Sequence, residues 1–205
     1  IKSLADLKGK RLGVEGSALG DYMIKRSLDF GSRIQPSDIL YKPIEINLQE
    51  QAYRENKIDA VVTYEPSKSL LLNAGAHVIF DSSQIPGEIV DVLVTNDSTI
   101  QTKQKELEAL SRGWFRALNY IDEHYREAMH TMSQHEATSA KEFQKGYEDL
   151  IIPSKEQNLK MLGSNGTLLE PMQRLSALML EKGSLKKKID VRPLLDERIL
   201  KRIEE

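Results

Sequence analysis

Two residues of types that could bind a small ligand follow two short apolar segments of the sequence. Ser17 comes two residues after the segment Leu12–Glu15, and Glu65 follows the apolar run Ile58–Thr63. Each segment has the pattern of a short buried strand that leads into a helix. Ligands of open α/β sheets collect at the carboxyl ends of strands, so both residues are predicted to face one crevice. Ser17 and the backbone of Ala18 would supply hydrogen-bond donors there, and Glu65 would supply a negative charge.

The helix start at Ser17 favours an anion, because its first backbone N–H groups point outward and the helix dipole is positive at that end. A sulfonate, phosphate or carboxylate group would suit it. The alternative is that Ser17 only caps its helix, as serines commonly do. Glu65 could accept hydrogen bonds from an amine or ring N–H of a ligand, or it could be a solvated charge at a strand-to-helix turn. The sequence leaves both questions open.

Two further residues are candidates for ligand contact. Tyr64 could stack on a flat ligand or could belong to the core. Asp91 stands within the apolar stretch Ile89–Val94, where its carboxylate either contacts a ligand or faces water from the polar side of a strand.

Composition argues against several other kinds of site. The chain has 205 residues, 40% of them hydrophobic, a net charge of −2 and no cysteine. This size allows one large domain or two small ones, and the charge balance argues against a nucleic-acid partner. The four histidines do not fall three or four residues apart, so neither a metal site nor a cofactor is predicted.

The alternation of elements predicts a parallel sheet flanked by helices. Strands are predicted over 12–15, 39–44, 58–63 and 77–80, and helices over 17–30, 47–56 and 66–73. One more strand is predicted over 89–95, followed by a long helical region. There the apolar residues recur at three- and four-residue steps and lie on one helical stripe, namely Leu107, Leu110, Trp114, Leu118, Ile121 and Tyr125.

Several spaced motifs together resemble the periplasmic solute-binding proteins of ABC importers, of the sulfonate, nitrate and thiamine-precursor type. They are the segment 4–10 (LADLKGK), the turn at Gly16-Ser17, the segment 57–60 (KIDA) before Tyr64-Glu65-Pro66, and the helix over 109–128. The resemblance implies a type II periplasmic-binding-protein-like α/β lobe over residues 1–88. It also implies a hinge-crossing strand over 89–98 and an α-helical C-terminal region over 99–205.

The resemblance further implies that the chain holds the second of two lobes and that the first lobe is missing. The stripe around Trp114 would then be an exposed apolar patch. Such patches mark interaction sites, so we expect a companion segment or a swapped dimer to cover it.

The function implied by the resemblance is non-catalytic binding of a small organic anion or zwitterion, such as a sulfonate, nitrate or pyrimidine-like compound. The ligand would bind in a cleft between lobes and pass to the permease of an ABC importer. The protein would work in the periplasm or outside the cell, free or tethered to a membrane. A ligand-sensing module of a membrane signalling protein is the alternative. An enzyme similar to the thiamine-pyrimidine synthases is less favoured. Those enzymes use a cysteine-rich motif, and this chain has no cysteine.

Overall fold

The computed structural model of the protein describes residues 1–30, 33–136, 138–163 and 165–203. The chain divides into two compact units. The first, here called the sheet unit, comprises Ile1–Ile89 and Leu178–Leu185; the second, the helical unit, comprises Val90–Ala177 and Lys186–Glu205. The domain limits predicted from the sequence (1–88, 89–98 and 99–205) stay a prediction, and positions 31, 32, 137, 164, 204 and 205 lie outside the described residues.

Within the described residues, the sheet unit contains three parallel strands in the order β2-β1-β3. They are β1 (Arg11–Val14), β2 (Leu40–Pro43) and β3 (Ala60–Val61). The helices that follow them are α1 (Ala18–Asp29), α2 (Gln49–Arg54) and α3 (Ser67–Asn73), with short 3-10 turns at Leu4–Leu7, Pro36–Asp38, Ile46–Leu48 and Ser82–Gln84. The predicted α/β class, with a parallel sheet flanked by helices, is confirmed.

The core of the sheet unit joins one face of β1 to one face of α1. Leu12 and Val14 are two residues apart on the strand and share a face, while Ile24 and Leu28 are one turn apart on the helix. All four are buried in one cluster with Leu7, Ile34 and Ile39. Burial of each such side chain stabilises the fold by about 1.5–3 kcal/mol, so this cluster fixes α1 against β1.

A largely buried ion pair holds residues 85–89 against α1. Glu88 accepts hydrogen bonds from Arg26 Nε at 2.6 Å and Nη2 at 2.8 Å, and from the Tyr22 hydroxyl at 2.7 Å. The Glu88 and Arg26 side chains are only 8% and 17% exposed. The hydrogen bonds to Glu88 raise the pKa of Arg26 above its ordinary value. The neighbouring Ile85 is fully buried, so the segment is anchored by packing as well as by charge.

Two predicted strands are wrong for the described residues. Residues 77–80 form no strand, and residues 89–96 form neither strand nor helix before α4 begins at Asp97. A strand requires a neighbour that completes its ladder of backbone hydrogen bonds, and within the described part of the chain no sheet pairing includes either segment. Val92, Leu93 and Val94 are instead 57%, 71% and 79% exposed. Their apolar pattern alone therefore misled the prediction.

The helical unit contains one long helix and several shorter ones. Its helices are α4 (Asp97–Thr102), α5 (Gln104–Glu123), α6 (Tyr125–His135), α7 (Ala140–Glu148), α8 (Lys155–Leu162), α9 (Leu169–Glu181) and α10 (Arg198–Arg202), with a 3-10 turn at Arg192–Leu194. Helix α9 contributes residues to both units. Helix α5 contacts α4, α6 and α10. Asn96, Ser139 and Ser154 cap the starts of α4, α7 and α8. Over the described residues, every helix is too short or too polar to cross a membrane.

The predicted apolar stripe lies mostly on α5, and much of it remains accessible to solvent. Leu110 and Trp114 are 55% and 54% exposed, and none of the residues of α5 is buried. Leu107, Leu118, Ile121 and Tyr125 are half-buried. A segment or second chain that covers this face stays a prediction.

Candidate ligand-binding site

The predicted site lies where β1 and β3 end, at the carboxyl edge of the sheet. Gly13 of β1 pairs with Val61 of β3, and the Val62 N–H donates to the Gly13 carbonyl at 3.0 Å. Because the two strands are parallel neighbours, the residues that follow them emerge at the same edge. Glu15 and Ser17 follow β1, and Tyr64 and Glu65 follow β3.

Ser17 caps helix α1, which was one of the two alternatives predicted from the sequence. Its backbone is extended, with φ −113° and ψ 156°, and its Oγ accepts a hydrogen bond from the Gly20 N–H at 3.2 Å. The first backbone N–H groups of a helix have no partner within it. With Gly20 satisfied by the cap, the N–H groups of Ala18 and Leu19 are the donors available at this helix start, and both residues are exposed.

Gly20 brings the start of α1 unusually close to the end of β1. A Cβ atom at this position would lie 2.8 Å from Cγ2 of Val14 and 2.9 Å from the carbonyl oxygen of Glu15. A side chain would push the helix away from the strand. The glycine therefore sets the position of the Ala18 and Leu19 amides relative to the sheet edge.

Glu15, which the sequence analysis did not single out, is the carboxylate that Tyr64 contacts. The Tyr64 hydroxyl donates to Glu15 Oε2 at 2.9 Å, and this hydrogen bond raises the pKa of Tyr64 above its ordinary value. Glu15 is half-buried and Tyr64 is 45% exposed. Tyr64 is therefore not a core residue but a side chain at the rim of the sheet edge. The sequence pattern assigned Glu15 to the predicted strand 12–15; because β1 ends at Val14, Glu15 is instead the first residue after the strand.

The Glu65 side chain contacts the start of α3, the helix that follows it in the chain. Its Oε2 accepts a hydrogen bond from the Ser69 N–H at 3.1 Å, in the first turn of α3. Its Oε1 lies 3.3 Å from Lys68 Nζ in an ion pair, although no well-aligned hydrogen bond reaches that oxygen. The Glu65 side chain is 31% exposed. Its charge is thus partly compensated, and its ligand contact stays a prediction.

Asp91 is exposed and belongs to the helical unit, whereas Ser17, Ala18, Tyr64 and Glu65 belong to the sheet unit. Its contact with the same ligand stays a prediction.

The buried residue Gln49 contacts the backbone just after β3. Its side chain is fully buried, and its Nε2 donates to the Val62 carbonyl at 3.1 Å. Ser67, also buried, donates to the Ile46 carbonyl at 2.9 Å and ties the start of α3 to the turn before α2. These two polar contacts fix the backbone on either side of Tyr64.

Comparison with known proteins agrees with this architecture. Residues 1–128 match the family model described as NMT1/THI5 like. The chain belongs to the NMT1/THI5-like family. No curated protein matches the chain. The resemblance to importer solute-binding proteins predicted from the motifs is confirmed at the level of family and fold.

Three solved structures share the fold of this NMT1/THI5-like chain. The periplasmic aliphatic sulphonate binding protein SsuA from Escherichia coli has a TM-score of 0.79 at 16% identity, over 98% of this chain and 67% of that one. The alkanesulfonate-binding protein SsuA from Xanthomonas axonopodis pv. citri bound to MOPS has a TM-score of 0.70 at 17% identity, over 95% and 65%. The desulfurization enzyme DSZB has a TM-score of 0.65 at 14% identity, over 98% and 72%. The chain therefore spans about two thirds of the length of these structures.

A concave region of the NMT1/THI5-like chain lies at the opposite, amino edge of the sheet. This cavity of about 540 Å³ is lined by Lys10, Tyr53, Arg54 and Asp59 among other residues, near the amino ends of β1 and β3. Arg11 forms two side-chain hydrogen bonds to Asp59, at 2.9 and 2.7 Å, and they lower the pKa of Asp59 to about 2. Asp59 is thus engaged in holding the two strands together. Across the described residues, no group of His, Cys, Asp or Glu side chains is arranged to hold a metal ion.

Proposed function

We propose that the chain binds a small organic anion or zwitterion of the sulfonate type, without chemical conversion, at the carboxyl edge of the sheet. The observation that carries the proposal is the fold match to a periplasmic aliphatic sulphonate binding protein, which extends over 98% of the chain. The protein would act in the periplasm or outside the cell, free or tethered to a membrane, and pass its ligand to the permease of an ABC importer.

The start of α1 provides the chemistry that an anion needs. A sulfonate presents three acceptor oxygens and one negative charge, and the Ala18 and Leu19 N–H groups are available donors. Charge complementary to a helix end contributes about 0.3–1 kcal/mol at exposed sites and up to about 2 kcal/mol at partly buried ones. Ser17 can donate its hydroxyl proton to the ligand while its oxygen lone pair caps Gly20.

The same fold also serves an enzyme, since DSZB matches over 98% of the chain. Fold alone therefore does not separate a receptor from a catalyst. The test of the function accordingly needs both a binding measurement and a search for products.

A complete site would need surface beyond this sheet edge. We propose that a further lobe or a second copy of the chain covers the ligand and packs on the face of α5 around Trp114. The length of the chain relative to the matched structures supports this proposal, as does the exposure of Trp114.

The proposed anion site can be tested by removing one donor without disturbing the helix. Ala18 is the first helical residue, where proline is tolerated, and the extended backbone of Ser17 is the conformation that a residue before proline adopts. Ala18→Pro deletes one N–H group. A hydrogen bond to a charged group contributes about 1.5–3 kcal/mol, so the affinity for ethanesulfonate should fall about tenfold or more. Isothermal titration calorimetry measures the affinity of each variant for ethanesulfonate.

Helix α7 supplies a matched control. Ala140 is its first residue and follows the extended cap Ser139, so Ala140→Pro makes the same chemical change in the helical unit. It should leave the affinity unchanged. If both variants bind ethanesulfonate with equal affinity, the N–H groups at the start of α1 do not contact the ligand. Release of a new product from the ligand would favour the enzymatic alternative.

A further inference from the structure

Glu15 places a negative charge next to the helix start proposed to hold an anion. Only Gly16 separates it from Ser17, and the Ser17 N–H donates to the Glu15 carbonyl at 2.7 Å, which folds the chain into a tight turn. Three peptide units separate Glu15 from Ala18, and they span about 11 Å at most when fully extended. The Glu15 carboxylate and an anion on the Ala18 amide are therefore within or close to the screening length of about 10 Å at 0.1 M salt.

No cation in the described residues compensates Glu15, in contrast to the neighbouring acids. Glu65 pairs with Lys68, and Glu88 pairs with Arg26. Glu15 receives a hydrogen bond from the neutral Tyr64 hydroxyl on Oε2, which leaves its other oxygen open. No cation among the described residues therefore offsets the charge of this half-buried carboxylate.

This charge decides which anions the edge can hold. A simple anion on the α1 amides is repelled by Glu15, whereas an anion that also carries a protonated amine a few bonds away is attracted at both ends. Tyr64 is 45% exposed beside the carboxylate, and its ring offers a π face to the same cation. Its hydroxyl holds Glu15 in place without neutralising it.

We propose, on the basis of the function proposed above, that the ligand is a zwitterion whose acidic group binds the α1 amides and whose cationic amine binds Glu15. Glu15 is then the residue that determines specificity for aminated over plain organic anions. Tyr64 is its positioning partner.

The matched probes are 2-aminoethanesulfonate and ethanesulfonate, which share an acidic group and a two-carbon chain and differ by the protonated amine. Calorimetry on the wild-type protein should show the aminated probe binding about tenfold more tightly, as expected for one charge-assisted contact. Glu15→Gln keeps the size of the side chain and an acceptor for Tyr64 but removes the charge. In this variant the preference should disappear, and ethanesulfonate should bind more tightly than it does to the wild type.

Glu55→Gln is the control, because it changes the net charge equally at the end of α2, near the amino ends of the strands, where Glu55 pairs with Lys57. It should retain the tenfold preference. Equal binding of the two probes by the wild type, or a preference that survives Glu15→Gln, overturns this inference and leaves the proposed function standing. Binding of neither probe overturns both. The wild-type comparison needs no variant, so it decides the question even if Glu15→Gln does not fold.

Discussion

The largely buried ion pair between Arg26 and Glu88 gives a quantitative prediction for the stability of the sheet unit. Glu88→Gln preserves side-chain shape and an acceptor for Tyr22 but removes the charge that two N–H groups of Arg26 contact at 2.6 and 2.8 Å. Hydrogen bonds to charged groups are worth about 1.5–3 kcal/mol each, against about 1 kcal/mol for neutral ones. Removal of one partner from a buried pair costs about 3–5 kcal/mol. We expect the free energy of unfolding to fall by about 2–4 kcal/mol.

Urea denaturation followed by far-UV circular dichroism measures this change. The only tryptophan, Trp114, lies in the helical unit, so its fluorescence does not follow the sheet unit directly. The control is Glu50→Gln, which breaks the i, i+4 pair with Arg54 whose side chains are 32% and 58% exposed. An exposed pair of this kind is worth about 0–1 kcal/mol. If the two variants lose the same stability, the burial argument for Glu88 is refuted.

Two other predictions concern the position of α1 and the response to acid. Gly20→Ala should weaken the binding of ethanesulfonate by calorimetry and lower stability by about 1–3 kcal/mol, because its Cβ would meet Val14 and the Glu15 carbonyl at under 3 Å. The pKa of Asp59, about 2, lies below its ordinary value of 3.8. Its charge therefore stabilises the fold above about pH 4, and this contribution, about 1–2 kcal/mol after allowance for solvent exposure, is lost as the pH falls toward 2. Denaturant titrations at pH 2 and pH 5 should show a smaller difference for Asp59→Asn than for the wild type.

The sequence was sufficient to predict the elements whose signals are local. Apolar runs bounded by turn residues marked β1 and β3, and the serine at position 17 marked the start of α1. The segments 77–80 and 89–95 carried the same apolar pattern but formed no strand. Strand formation depends on a partner elsewhere in the chain, and an apolar pattern contains no information about whether that partner is present.

The candidate site shows the same division between local and non-local information. The helix cap at Ser17 depends on residues three positions apart, and it could be predicted. The ion pair of Glu65 with Lys68 is also local, since the two residues are three positions apart, but the predicted partners of Glu65 were only a ligand or solvent. The contact between Glu15 and Tyr64 joins residues 49 positions apart. It exists only because β1 and β3 are parallel neighbours.

The register of those two strands then determines which acid faces the proposed ligand. Gly13 pairs with Val61, so an in-register continuation places Glu15 opposite Thr63, one residue before Tyr64. The long phenol side chain spans this one-residue offset and reaches the carboxylate. Glu65, one residue further along, already belongs to the turn into α3 and binds the first turn of that helix. A shift of the pairing by one residue would change which residue after β3 lies opposite Glu15, whereas the contacts of Glu65 with Lys68 and Ser69 are local and would persist. The rule that ligands collect at carboxyl edges therefore identifies the place. Register sets the contact of Glu15 with Tyr64, and the local pair of Glu65 with Lys68 leaves Glu15 as the uncompensated charge on which the proposed specificity depends.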